Sequence, residues 1–334
     1  MTTLNIMVLG GTGLISTGIT KACMELGHNV IHFNRGNNAN IFEVETIRGD
    51  RNDCESLKKA AEKKPDVVID MLCFNAAQAQ TAIDAFAAKT GQYIYCSTFC
   101  VYNLIEALEP IKETSPASSH TEYGANKFAA EMEFLKAAQK GFFETTIFRP
   151  SHIYGEDFFV NQLDFEGARF LKCLYNGAPV LLGDSGISTW QACHRDDAGI
   201  AFANAAGREK CFGKTYNLSY REIMSWRTFY ERAAKVLGRE AVMVTLPAAD
   251  LLEDDNGRFE FYRDITRFHC ALDTEKVYND IPEFHQRIQF EDGVKMAWER
   301  VEKKCGTDLC RYNSMNSLIN KATPLIPKPK PYNV

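Results

Sequence analysis

The feature that most constrains this chain is a cluster of glycines near its start. Gly10-Gly11-Thr12-Gly13 comes after the apolar run Asn5-Ile6-Met7-Val8-Leu9 and precedes Leu14-Ile15-Ser16. Glycine lets the backbone adopt conformations closed to other residues and lets a ligand approach the main chain. A helix beginning just after it offers free N–H groups and the positive end of its dipole. A dinucleotide pyrophosphate needs that combination, so Gly10, Gly11, Thr12, Gly13, Leu14 and Ile15 are read as its cradle. The same residues also suit a tight strand-to-helix turn, and the rest of the chain has to decide between the two.

Beyond the glycines, short apolar runs alternate with helical stretches. Leu14 to Leu26 reads as a helix stopped by Gly27, then Asn29 to Phe33 as a strand and Glu43 to Ile47 as a short third one. Asp53 caps a helix reaching about Lys63, and Asp66 to Leu72 is again a strand. Ala76 to Lys89 is helical, Gln92 to Cys96 a strand, Tyr123 to Lys140 a long helix and Thr145 to Phe148 a strand. Near-continuous apolar strands alternating with helices predict an α/β fold, a doubly wound parallel sheet covered on both faces. After Gly155 the rhythm changes. Helices over Asn161 to Tyr175 and Trp226 to Leu237, strands over Val180 to Leu182 and Thr215 to Leu218, and a charged, aromatic Leu251 to Asp273 predict a smaller mixed lobe. The expected division is a dinucleotide-binding domain over 1–157 rejoined by 187–218, a substrate lobe over 158–186 and 219–304, and an extension over 305–334 whose four prolines favour extended chain.

Composition narrows the function. A net charge of -5 lacks the basic footprint of a nucleic-acid binder, so no nucleic-acid partner is expected. No apolar run approaches the ~20 residues that cross a bilayer, and the glycines interrupt any signal-type core at the start; no membrane partner and a cytoplasmic location are expected. The 11 cysteines are odd in number and lack zinc-type spacing, which predicts free thiols in a reducing compartment and no metal.

Two positions bear on the cofactor. The second strand ends at Asn34-Arg35, where an acidic residue would bind the adenosine ribose of NAD and an arginine can pair with the extra phosphate of NADP. Arg35 leans the choice toward NADP, with a solvated loop arginine as the alternative. Asp50, in Gly49-Asp50-Arg51, meets the adenine edge or serves as a turn residue. A proton-transfer group lies further on. Tyr123 and Lys127 are four residues apart on one helix face. A phenol with a reference pKa near 10 is a poor base, and an ammonium together with the charge of an oxidised nicotinamide favours the phenolate. Thr98, at the end of the preceding strand, is placed to hydrogen-bond the reacting oxygen.

Taken together these segments resemble the extended short-chain dehydrogenase/reductase family, in its NAD-dependent epimerase/dehydratase branch. The resemblance is carried by Gly10 to Ile15, Gly49-Asp50, Cys96 to Tyr102, Tyr123 to Lys127, Arg149 to Gly155, His194 to Ala198 and Tyr216-Asn217-Leu218, over roughly residues 4 to 300. It implies that Tyr123 is the catalytic acid/base, that Lys127 holds the nicotinamide ribose and tunes Tyr123, and that Thr98 orients the substrate hydroxyl. It implies a cofactor set that adds Asn34, Arg35, Asp50, Arg51, Leu72, Ser97, Pro150 and His152 to the glycine loop. Phe99, His152 and Trp190, with Thr98 and Tyr123, are the expected substrate contacts.

The chain departs from that pattern at three places. Ser16 replaces the third glycine, His152 stands where nucleotide-sugar epimerases usually carry Asn, and Trp190 stands where many hold the substrate diphosphate with Arg. Arg258, Arg263 and Arg267 are alternative sources of charge, and His152 and His194 either bind substrate or are satisfied within the fold. The leading expectation is an NAD(P)-dependent epimerase of a sugar or nucleotide-sugar working through a keto intermediate. The alternatives are an NADPH-dependent reductase or dehydrogenase of a sugar-like alcohol, and a non-catalytic RNA-binding or NADPH-sensing relative. The partner expected is a small sugar-type molecule. A homodimer is also expected, through the helices Ala76 to Lys89 and Tyr123 to Lys140, which carry apolar residues such as Phe86, Phe128 and Met132 on more than one side.

Overall fold

In a computed structural model of the chain, the residues described are 2–108, 110–156, 158–163, 167–253, 257–304 and 316–324. They fall into two units, the first formed by Met1–Gly155, Gln191–Ile223 and Ala271–Ile288, the second by Glu156–Trp190, Met224–Cys270 and Gln289–Val334.

The first unit begins with β1 (Asn5–Leu9), α1 (Leu14–Glu25), β2 (Asn29–Asn34), β3 (Glu45–Arg48), α2 (Cys54–Ala61), β4 (Val67–Asp70), α3 (Ala76–Phe86), β5 (Gln92–Cys96), α4 (Glu122–Gln139), β6 (Glu144–Pro150) and β7 (His152–Tyr154). After α5 (Phe170–Tyr175) and β8 (Val180–Gly183) of the second unit, the chain returns through β9 (Thr189–His194), α6 (Arg195–Ala205) and β10 (Lys214–Leu218). Seven strands form one sheet in the order β10-β6-β5-β4-β1-β2-β3, and each neighbouring pair in it runs parallel. This is the doubly wound sheet expected. Ile6, Met7, Val8 and Leu9 are all fully buried, because both faces of the sheet are covered. Met7, Leu9, Phe33 and Tyr93 join Leu57, Ile83 and Phe134 of α2, α3 and α4 in one core. On the other face, Phe148 packs on Phe202 of α6, and α1 meets α6 at Gly18 and Gly199, where a side chain on either glycine would collide with the facing backbone.

Strand order reverses between β1 and β4. Their register sets Leu9 beside Asp70, so the loops leaving the two strands open a crevice between them. Local chemistry fixes the helices around it. Asp53, Asn75 and Thr121 cap α2, α3 and α4 by accepting bonds from backbone N–H groups. The third helix stops at Phe86 rather than at Lys89: Ala87 turns out of the helix with a ψ of 127°, and Ala88 then takes a left-handed φ of 57°.

The observed division differs from the expected one in a specific way. Ala271–Ile288, including α9 (Glu275–Asp280), belongs to the first unit. Its amides at Arg287 and Ile288 donate to the buried carboxylate of Asp197, and the Asp273 carbonyl accepts from Asn217. The second unit contains α7 (Trp226–Val236), β12 (Met243–Leu246), α8 (Ala248–Glu253), α10 (Phe290–Lys304), α11 (Asn316–Lys321) and β13 (Thr323–Pro324); β11 (Ile223–Ser225) spans the junction. There β12 pairs with β8 in parallel and with β13 antiparallel, so part of the expected extension joins a sheet. The helix expected from Asn161 is not formed over 161–163, which are non-helical; among the described residues helical structure begins at Gly167, as a tight turn leading into α5. Residues 325–334 and Cys305 and Cys310 lie outside the described residues. The nine described cysteines are free. Among the described residues no helix is long and apolar enough to cross a membrane, and no group of His, Cys, Asp and Glu has metal-binding geometry.

Candidate active site

The glycine loop leaves β1 with Gly10 at a φ of 89°. A Cβ at Gly10 would stand 2.7 Å from Leu72, and one at Gly11 would stand 2.3 Å from the His32 ring, so both positions exclude a side chain. Ser16, in the place of the third glycine, donates to the Gly10 carbonyl at 2.6 Å and braces the loop from within. Gly13 caps α1 with no side-chain bond, which leaves the first N–H groups, where Leu14 and Ile15 lie, turned to whatever fills the crevice. His32 lies beneath the loop, bonded to Thr20 at 2.8 Å and Asn40 at 3.0 Å, and burial pushes its pKa down to about 4.

A cleft of about 270 Å³ opens along these residues and is lined by Gly10, Thr12, Gly13, Asn34, Arg35, Asp50, Arg51 and Leu72. The buried Asn34 accepts from the Gly36 amide at 2.9 Å, while its Nδ2 has no partner. Arg35 is exposed at the rim. Next to it, Arg48 lays its guanidinium over Gly36, with Nε 3.1 Å from where a Cβ there would stand. Asp50 holds a turn, accepting from the Asn52 amide at 2.9 Å, and also lines the cleft. Arg51 turns inward. Its guanidinium pairs with fully buried Asp70 at 2.6 Å and donates to the Gln78 carbonyl at 2.7 Å, leaving only Nε without a partner. Asp70 also accepts from Tyr93 and from the Leu72 amide, and so fixes the loop that faces Gly10. The expected role of Arg51 as a ligand is corrected here: its charge is taken by Asp70, and it acts on the cleft through Leu72.

A bare glycine cradle, an uncapped helix start, and the buried Asn34 Nδ2 without a partner fit a dinucleotide rich in acceptors.

At the other end, Thr121 starts α4 and sets Tyr123, Lys127 and Glu131 at successive four-residue steps on one face. Lys127 is almost wholly buried, its ammonium donating to the carbonyls of Cys73 at 2.7 Å and Cys96 at 2.6 Å and lying 4.5 Å from the Tyr95 ring centroid. Burial lowers its pKa. Thr98 accepts from the Cys100 amide at 3.2 Å. Tyr123 keeps 46% of its surface exposed, yet burial of the phenol raises its pKa, the Cys100 and Cys96 thiols add to the rise, and a hydrogen bond from Thr98 pulls the other way. The expected tuning of Tyr123 by Lys127 is therefore not what dominates, because the ammonium is spent on two backbone carbonyls.

Other expected residues are also accounted for. The Ser97 hydroxyl donates to Glu131 at 2.5 Å rather than toward the cleft. Pro150 ends β6 and is buried. His152 lies fully within the fold, its ring 5.1 Å from that of buried Phe99 and its Nδ1 3.4 Å from the Gln191 carbonyl, and burial pushes its pKa to about 4. His194 caps α6 by accepting from the Asp196 amide at 3.2 Å. Trp190, expected at the substrate, is a core residue of the second unit. It is 3% exposed and stands 5.1 Å from Phe229 and 5.6 Å from Phe290, in a cluster that also includes Trp226 and Phe159. Asp70 and Glu131 do not stand out in the sequence. A carboxylate inside a helix face otherwise buried is the one signal for Glu131, since such a group requires a partner.

A glycine-cradled crevice at the switch point of a parallel sheet, joined to a Tyr-x-x-x-Lys helix, defines a nicotinamide-dependent enzyme of the oxidoreductase type. The chain belongs to the NAD dependent epimerase/dehydratase family, whose family model matches residues 6–219. It is 29% identical over 293 residues to 2'-dehydrokanamycin reductase of Streptomyces kanamyceticus, spanning 85% of this chain and 81% of that protein. It is 27% identical over 306 residues to the chloroplast stem-loop binding protein of 41 kDa b of Arabidopsis thaliana, spanning 84% of this chain and 75% of that protein. Its fold is that of UDP-glucose 4-epimerase from Thermotoga maritima, solved with UDP-glucose, at a TM-score of 0.72 and 17% identity, covering 90% of this chain and 99% of that one.

Proposed function

We propose that this protein is an NADPH-dependent reductase acting on a ketone of a sugar-like molecule that carries no nucleoside diphosphate. The observation that carries this reading is Arg35, which lines the cleft just after the second strand, with the Arg48 guanidinium lying against neighbouring Gly36. Two cations around a ribose favour a phosphate on it, which NADPH has and NADH lacks. Support also comes from Trp190, packed into an aromatic core at the position where an arginine would hold a diphosphate. The similarity to a reductase of 2'-dehydrokanamycin points to a keto group on a sugar-like ring.

When bound, the nicotinamide supplies a hydride to the carbonyl carbon. The chain's own residues handle the oxygen. Tyr123, held as a phenol by burial, donates its proton to the oxygen as negative charge develops there. Thr98, whose oxygen accepts from the Cys100 amide, keeps its hydroxyl hydrogen to offer to the same substrate oxygen. Lys127 ties α4 to the chain beside Cys73 and Cys96, which keeps Tyr123 over the end of β5.

The test is NADPH consumption with a panel of keto-sugars, with and without a nucleoside diphosphate. Turnover of non-nucleotide ketones is the expected result; turnover confined to nucleotide-linked sugars would refute it. The epimerase, the leading expectation from the sequence, becomes the second reading, supported by the family description. It requires a dinucleotide that copurifies and is never consumed, so mass spectrometry of the purified protein separates the two.

A further inference from the structure

A buried charge network ties the strand end carrying Thr98 to the helix carrying Tyr123. Glu131 is fully buried, and three donors satisfy it: Ser97 Oγ at 2.5 Å, Arg149 Nη2 at 2.6 Å and Arg149 Nε at 3.0 Å. Arg149 reaches on to the Tyr102 hydroxyl at 2.8 Å and lies 4.9 Å from that ring's centroid, and Tyr102 donates to Asn217 at 2.8 Å. The short segment from Ser97 to Tyr102 is thus held at both ends by one carboxylate–guanidinium pair, with Thr98 just inside the first anchor. Glu131 is also two helical steps from Tyr123 on α4. An apolar pair of the same shape would pack here at no cost in burial, so the placement of three charged or polar side chains calls for a reason other than stability.

We propose that Glu131 and Arg149 are positioning residues, which set where Thr98 stands relative to Tyr123 by linking the end of β5, α4 and β6 through Ser97. This rests on the proposed roles of Thr98 and Tyr123, but its test uses no substrate. Two elements joined by short charge-assisted bonds have little slack, so cutting the bond to Ser97 removes one tie between the strand end and α4. The Ser97 amide stays bonded to the Phe148 carbonyl, Lys127 stays bonded to the Cys96 carbonyl, and the ion pair is left intact.

The experiment is nuclear magnetic resonance of the full chain grown on ring-labelled tyrosine, with the Tyr123 signal assigned by its loss in Tyr123→Phe. In Ser97→Ala, the Tyr123 signal is expected to shift as the segment carrying Thr98 moves relative to it. Tyr93 and Tyr216, bonded to Asp70 and Asp280, report on the fold and are expected to stay in place. Glu131→Gln should move Tyr123 and Tyr102 together. If that variant does not fold, Ser97→Ala decides alone, because its ion pair is untouched. A Tyr123 signal at the parent position in folded Ser97→Ala overturns the proposal. Full turnover by Tyr123→Phe would instead remove the functional reading and leave this spectral result standing.

Discussion

Gly18 of α1 and Gly199 of α6 meet backbone to backbone. A Cβ at position 199 would lie 2.1 Å from the carbonyl carbon of Gly18, and no rotamer change relieves a clash with main chain. Gly199→Ala must push the two helices apart on one face of the sheet. It should cost about 2–4 kcal/mol, measured by urea unfolding; a loss below about half a kcal/mol would show that the crossing yields freely.

Tyr123→Phe removes the proton donor and keeps the ring. Turnover of the true substrate should fall about 100- to 10,000-fold with NADPH affinity within a few-fold, measured by steady-state rates and by calorimetry. More than half the parent rate would eliminate Tyr123 as the acid.

Arg35→Ala, alone or with Arg48→Ala, should weaken NADPH far more than NADH. Each charge-assisted bond to a phosphate is worth about 1.5–3 kcal/mol, a loss of roughly tenfold or more in affinity that the unphosphorylated cofactor does not suffer. Equal losses for the two cofactors, by fluorescence titration, would rule out phosphate reading.

His32 and His152 are buried and neutral, each with a folded pKa near 4 against an ordinary value of 6.5. Between those values the unfolded chain binds a proton that the folded chain refuses, so stability rises with pH across that window and is lost as pH falls through it. Each histidine should contribute a slope of up to about 1.4 kcal/mol per pH unit there. His152→Asn should flatten the dependence of unfolding free energy on pH by one proton's share, and an unchanged slope would contradict the burial argument.

The expected homodimer changes in detail. Phe86 is fully buried against Tyr93 and has no outward surface, whereas Met132 on α4 is 39% exposed beside half-buried Phe128 and Ala129. A dimer built on α4 should therefore use that stripe. Light scattering should give a mass of two chains, dropping to one in Met132→Lys; a single-chain mass for the parent would refute it.

Much of the first unit is legible because its signals are local. The glycine run, the alternation of strand and helix, and Tyr123 with Lys127 each depend on neighbours in sequence, and α4 starts within one residue of its expected position. What stays hidden depends on pairs made by the fold. Arg51 reads as a cofactor ligand until β4 brings Asp70 against it, and Trp190 reads as a substrate contact until Phe229 and Phe290 surround it. Ala271–Ile288 has no periodicity to announce it, since backbone amides donating to Asp197 leave no mark on side-chain pattern.

The same segment bears on how the protein is made. Because the first unit draws on Ala271–Ile288, a ribosome must release most of the chain before the carboxylate of Asp197 meets the amides of Arg287 and Ile288 and Asn217 meets the Asp273 carbonyl. Folding during synthesis, which favours N-terminal domains that close early, has little to act on here. A nascent chain halted soon after β10 would hold all seven strands of the sheet and still leave Asp197 without the amides that neutralise its burial. The first unit's last hydrogen bonds are therefore closed late in translation rather than early.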